Sequence, residues 1–487
     1  MKSVVNFTDR GITYRWFDGL GNDNESNSLH SCQLSRIQSL VDQLYAERHR
    51  SSDYTYMPEM GQNEHVPFWI DTLCVPVGKK NVDLRRSAIR QMADIYRQAD
   101  RVLVLDSFML TLSRSTDIVS KYVRIHLSNW HHRLWTLQEG QLARSLFFQF
   151  KDGAETFYDM NYPELHLDRN DPVYLCSPVR LLCVTELEAF YRYFEDTAKH
   201  HGIVARMRSC AKYLRSRQTG RFEDEPICVA TILKLDPGPM FTHSAPEDRM
   251  ACFYDLVGLF DPRIIFNEHP RLQKDGYRWA PKSFLHQVPD LITMREGGAD
   301  HLHAASLIPR GGGLHVQFPG FEFSSVGSQL GPSVFVKQWT GGYSWMQWWS
   351  LDSKAPWWAY MYKLEIQPNA DGSHPVRHPG QRYAVVLPGD LHPDFLPATG
   401  IMGIIELSNY HPAATMTTPS NPTMVTPPWT TYDTPANQRP AYSMLQRIVL
   451  RYICRVHVSM PAKEAVPEAI VPDWAFAYSH MQGWTIR

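Results

Sequence analysis

The chain is 487 residues long and carries 49 basic against 50 acidic side chains, for a formal charge of -1 at neutral pH. That balance provides no global field to draw it onto nucleic acid or an anionic membrane. The length exceeds what a single core serves and predicts two or three domains, while 43% hydrophobic and 20% charged residues are the proportions of an ordinary globular protein.

The first third alternates between strand-like and helix-like patterns. Ile12–Trp16 is a short β-prone run closed by the loop residues Phe17-Asp18-Gly19-Leu20-Gly21-Asn22. Between Cys32 and Ala46, Leu34, Ile37, Leu40, Val41 and Leu44 recur at spacings of three and four, predicting an amphipathic helix. Phe68-Trp69-Ile70 reads as a buried strand ending at Asp71. Leu84 to Ala99 gathers Ile89, Met92, Ala93, Ile95 and Tyr96 on one helical face, with Arg85, Arg86 and Arg90 on a solvated one. Val102-Leu103-Val104-Leu105 is a second apolar strand, ending at Asp106; a helix over Trp135–Ala143 and a strand over Ser145–Phe150 follow.

Wholly apolar strands separated by amphipathic helices predict a parallel α/β sheet covered on both faces. Ligands of such sheets bind beyond the carboxyl ends of the strands, where Asp18, Asp71 and Asp106 fall. From residue 151 the pattern loosens. Glu186–Lys199 and Val204–Arg217 read as helices, and Ile227–Leu235 is an apolar segment of either type. Beyond residue 301, runs such as Ser333–Lys337 and Arg382–Leu387 predict antiparallel β structure, and residues 411–440 are a Pro- and Thr-rich loop. The expected division is residues 1–155, a mostly helical middle region over 156–300, and a β-rich region over 301–487.

Eight cysteines lie at wide spacings without a C-x-x-C pair, which argues against a zinc ribbon or a thioredoxin motif and for reduced, packed thiols. Met1–Arg10 is polar, without the apolar core of a signal peptide, and no window approaches a membrane span. A soluble, cytoplasmic protein is expected. Adjacent histidines in Trp130-His131-His132-Arg133 point in different directions and have no acidic or Cys ligand at a known spacing, so no metal site is expected.

Three segments carry a family resemblance. Ile12-Thr13-Tyr14-Arg15-Trp16-Phe17-Asp18-Gly19 is similar to the opening motif of fungal heterokaryon-incompatibility (HET) domains, although members often have Ser-His where this chain has Thr13-Tyr14. Phe68-Trp69-Ile70-Asp71-Thr72-Leu73-Cys74-Val75-Pro76 with Met92-Ala93-Asp94-Ile95-Tyr96 resembles the central motif, and Arg133-Leu134-Trp135-Thr136-Leu137-Gln138-Glu139 the third. Glu223–Cys228 and Tyr277–Pro281 also look like segments of large fungal HET proteins. The resemblance implies a self/non-self recognition and cell-death factor that acts with protein partners and forms homo-oligomers on activation.

HET domains in turn resemble TIR domains, which are flavodoxin-like and some of which hydrolyse NAD at the nicotinamide–ribose bond through one glutamate. That analogy makes NAD a substrate rather than a retained cofactor, Glu139 the catalytic carboxylate, and Trp16, Asp18, Gly19, Asp71 and Trp135 its binding residues. An anion there would favour an oxocarbenium-like transition state. The residues alone leave a second role open for each. Glu139 pairs with Arg133 or Arg144 and fixes its helix, Asp71 caps a turn, and the tryptophans are core material. A non-enzymatic assembly module with a structural Glu139 is the alternative.

Overall fold

The computed structural model describes residues 3–8, 27–47, 65–160, 202–267, 269–285, 305–307, 313–324, 333–339, 359–368, 381–388, 398–406, 448–459 and 473–487. The chain divides into two compact units, one of Met1–Val257 with Ser283–Met294 and the other of Gly258–Lys282 with Arg295–Arg487. The first is mixed α/β and the second is β-rich.

In the first unit the elements are β1 (Ser3–Thr8), α1 (Ser31–Ala46), β2 (Phe68–Trp69), α2 (Asp71–Cys74), α3 (Val82–Gln98), β3 (Arg101–Asp106), α4 (Ile118–His126), α5 (Asn129–His132), α6 (Leu134–Leu142), β4 (Leu146–Phe150) and β5 (Gly153–Thr156). Helices α7 (Ile203–Leu214), α8 (Glu225–Ile232) and α9 (Pro246–Val257) follow. The sheet order is β2-β1-β3-β4-β5, in which β2, β1, β3 and β4 run parallel and β5 turns back antiparallel along β4. The sheet is therefore mixed, not wholly parallel.

Its centre is β3, where Val102, Leu103, Val104 and Leu105 are fully buried, each side chain contributing about 1.5–3 kcal/mol of burial. The period of two sends its residues to opposite faces. Leu103 and Leu105 meet Ile37, Val41 and Leu44 of α1, whose spacing of four and three places them on one stripe. Val102 meets Met92 and Tyr96 of α3 on the other side, with Trp69 standing edge-on to Tyr96 at 5.7 Å.

The strand paired between β2 and β3 is Ser3–Thr8, in register from Ser3↔Arg101 to Thr8↔Asp106. The sequence placed its first strand at Ile12–Trp16, which lies outside the described residues, as do Glu186–Lys199 and the loop over 411–440. Ser3, Asn6 and Thr8 interrupt Val4, Val5 and Phe7, and so short a broken pattern gives no usable period. The uncertain segment near Ile227 is helical: α8 opens with Pro226 in its first turn and every residue of it is buried. Of the arginines expected on the solvated face of α3, Arg90 is exposed and Arg85 and Arg86 are half-buried. Arg85 donates to the Pro76 carbonyl, Arg90 to that of Gly238 and Arg97 to that of Thr231.

In the second unit β6 (Leu259–Phe260) and β7 (Ala305–Leu307) flank a larger assembly of β8 (Leu314–Ser324), β9 (Ser333–Trp339), β10 (Ala359–Ile366), β11 (Arg382–Val386), β12 (Ala398–Ile405), β13 (Ile448–Ser459) and β14 (Asp473–Ile486). The pairings close on themselves. Toward the end of β14, strands β8, β11, β12, β13 and β14 form a ring, with Ile448–Leu450 beside Trp484–Ile486. Toward its start β9 and β10 are inserted between β14 and β13, widening the ring. The result is a tapered barrel. Phe321, Phe323, Leu364, Tyr383, Val385, Met402, Val456 and Val458 form one apolar cluster within it. A register shift at Met402/Gly403 bends β12, and a Cβ on Gly403 would lie 2.5 Å from the Arg451 carbonyl, so the strands close there only over a glycine.

Candidate functional site

Glu139 is on α6, in the third motif. Ser128 caps α5 by accepting from the His131 amide. Asp106, fully buried at the end of β3, accepts from the amides of Phe108 and Trp130. These bonds fix how the chain leaves the sheet and enters α6, so the position of Glu139 is set by main-chain geometry.

Glu139 is only 3% exposed. It faces the Tyr96 hydroxyl from α3 and the Trp130 indole, with Asp71 and Arg133 close enough to act on its charge. Burial, reinforced by Asp71, pushes its pKa up to about 8 against the opposing pull of Arg133. At neutral pH it is therefore mostly a neutral acid. Burial with Glu139 and Asp71 nearby likewise raises the Tyr96 phenol well above its usual value. The structure thus brings Glu139 and Asp71 together, from α6 and from the end of β2. Asp71 is half-buried and accepts from the Thr72 amide at 2.7 Å, a local turn-capping bond.

Trp135 packs with Trp69, Val75, Met92 and Tyr96, and its indole N–H donates to Asp224 Oδ2 at 3.1 Å. Its ring is core material in this arrangement. Trp16, Asp18 and Gly19 lie outside the described residues. Arg144 donates to the Arg97 carbonyl. Of the two arginines expected near Glu139, Arg133 is the one whose charge bears on it.

The sequence missed the group that most encloses this site. Arg217, just beyond α7, is fully buried. Its Nη1 reaches the carbonyls of Trp130 and Arg133, each at 3.0 Å, and Thr136 Oγ1 at 2.8 Å. Burial draws its pKa down to about 9, against the opposing influence of Cys228 and Glu139. The neighbouring main chain adds Gln218 N to His132 O at 2.6 Å and Leu134 N to Gln218 O at 2.9 Å. His132 Nδ1 lies 2.8 Å from the Ser216 carbonyl. His131 is buried beside Arg217, His126 and His132, and burial first, then those charges, keeps its pKa well below the usual imidazole value. No periodicity could reveal Arg217, because an arginine at a helix end reads as solvated.

Among the described residues, no group of three or more His, Cys, Asp or Glu is arranged to hold a metal ion, and no helix is long and apolar enough to cross a membrane. Among the described residues no cysteine is in a disulfide.

No curated protein and no solved structure matches the chain. One family does: residues 12–118 match the family described as "Heterokaryon incompatibility protein (HET)". The matched stretch contains Asp71 and Tyr96 and stops before Trp130 and Glu139. Over residues 12–118 the chain is therefore similar to a heterokaryon-incompatibility (HET) domain.

Proposed function

We propose that this chain is a cytoplasmic self/non-self recognition factor of the heterokaryon-incompatibility type, ending in programmed cell death, and that its HET domain acts as a signalling module assembled with protein partners. The domain, in this reading, extends through the third motif to residue 155. The family match supports the biological role. The observation that favours assembly over chemistry is the enclosure of Glu139, 3% exposed with a pKa of about 8. Cleavage of the nicotinamide–ribose bond needs an anion beside a developing cation, and the departing nicotinamide leaves neutral without needing a proton. A buried, protonated carboxyl offers neither charge nor access.

One observation favours a second reading, NAD hydrolysis by a TIR-like, flavodoxin-like domain. The strand order β2-β1-β3-β4, all parallel, suits that fold, and the acid pair Asp71 and Glu139 stands just past the carboxyl end of β2, where such sheets bind ligands. A carboxyl this strongly perturbed is also a common mark of a functional site. In this reading NAD is the substrate, Glu139 is catalytic once uncovered, and Trp16, Asp18, Gly19, Asp71 and Trp135 bind.

The test is expression of the full chain beside Glu139→Gln in a fungal host, with cell viability and NAD content followed together. The assembly reading expects both proteins to kill without early NAD loss. Early NAD loss in the parent, abolished in Glu139→Gln, would overturn it in favour of hydrolysis. Absence of killing by the parent, in a host supplied with the incompatible partner strain, would overturn the incompatibility role itself.

A further inference from the structure

We propose that residues 216–231, which lie outside the family match, form an autoinhibitory latch that holds the third motif shut over Glu139 and opens when the HET domain is activated. The proposal rests on the HET domain being the part that delivers death, by either route above.

Directional polar contacts accompany the apolar packing of α8, every residue of which is buried. Residues 130–138 are gripped by Ser216, whose carbonyl meets His132 Nδ1, and by five further residues. Arg217 takes the carbonyls of Trp130 and Arg133. Gln218 exchanges main-chain bonds with His132 and Leu134, as a single parallel bridge opposite Arg133. Asp224 accepts from the Trp135 indole, and Cys228 Sγ lies 3.6 Å from the Leu134 carbonyl. Thr231 Oγ1 lies 3.0 Å from Gln138 Oε1 and 2.7 Å from the Cys228 carbonyl.

The grip is also incomplete. Gln138 is fully buried, yet its Nε2 has no hydrogen-bond partner among the described residues. A partly satisfied polar network costs free energy that water would return on opening. Between α7 and α8 the latch contains only the 3-10 turn Phe222–Asp224, which exposes Phe222 at 67% and so gives an activating partner an apolar handle on the segment that must move. Opening would admit water to Glu139 and Tyr96 together, because Glu139 of α6 and Tyr96 of α3 face each other.

Two mild variants test this in the full chain. Thr231→Val removes the hydroxyl that holds Gln138 and keeps the shape; Trp135→Phe removes the N–H that holds Asp224. Amide exchange is followed over residues 130–142 and, as an internal standard, over β3. The latch predicts that 130–142 exchanges at least about tenfold faster than β3 in the parent, through a local opening, and about fivefold faster again in either variant with β3 unchanged. Exchange of 130–142 in step with β3 in all three proteins would overturn it, since the segment would then open only on global unfolding. Killing is scored in parallel, with lower expression of either variant expected to suffice. Faster local exchange without more potent killing would also overturn the inhibitory role. Faster exchange in the variants with no killing by any of the three, parent included, would count against the proposed function and leave the opening itself established.

Discussion

The two units bury different things. Among the described residues, the N-terminal unit encloses Asp106, Lys121, His131, Thr136, Gln138, Glu139, Arg217, Glu225 and Thr231, whereas the barrel unit encloses Asn267, Arg271 and Thr485. In the barrel unit the one buried charge is answered on the spot. Arg271 donates to the carbonyls of Trp279, Ile265 and Asn267 and lies 4.7 Å from the Tyr452 ring centre. In the N-terminal unit Glu139, Arg217 and His131 share one enclosure, where burial displaces the pKa of each. A scaffold can be built wholly from burial. A region that keeps ionisable groups out of water at a cost of several kcal/mol is one whose alternative, opened state matters.

The comparison breaks most easily at the arginine. Arg217→Ala withdraws a buried guanidinium from the carbonyls of Trp130 and Arg133 and from Thr136 Oγ1 and should destabilise the N-terminal unit by about 3–5 kcal/mol, seen as an earlier loss of helical circular dichroism while the β-rich signal stays. Phe321→Ala, in the apolar barrel cluster, should cost about 3–4 kcal/mol and do the reverse. If both variants lower a single shared transition, the units do not unfold separately and the contrast fails.

Glu139→Gln should sharpen it. Below pH 4.5 the acid is protonated whether the chain is folded or not; above that the unfolded chain releases the proton while the folded one retains it up to about pH 8. Stability therefore falls as pH rises across this window and levels off beyond it. The amide cannot ionise, so the variant should gain roughly 1 kcal/mol or more at pH 8, about 2–4 °C in the N-terminal transition, and little at pH 4.5. An equal shift at both pH values would mean that burial does not govern this carboxyl.

The smallest effect belongs to His131, whose folded pKa lies well below 6.5. Above that pH it is neutral in both states. Below it the unfolded chain takes up a proton that the folded one refuses, so the N-terminal unit alone should weaken as pH falls from 6.5 toward 5. His131→Asn should flatten that limb in pH-dependent melting curves.

Much of this was legible in the sequence wherever period and burial coincide. Cys32–Ala46, Leu84–Ala99 and Val102–Leu105 each became the element their spacing predicted, because each presents one unbroken apolar stripe or run. The third motif was found by resemblance, and Asp71 was placed at a strand end by the apolar run before it. What stayed hidden was non-local. Arg217 acts on carbonyls more than eighty positions away, and nothing in its neighbours marks it as buried. Tyr96 read as one apolar residue among five. The barrel was legible as β structure, but its ring closure depends on β14 passing from β9 to β13 along its length, a register that alternation alone does not specify.

The position of β1 has a practical corollary. The family match begins at residue 12, and a truncated protein cut to that boundary would lack the six residues that sit between β2 and β3. Such a fragment would expose two raw strand edges in the middle of its sheet and should self-associate through them. Its failure to behave would then say nothing about the intact molecule.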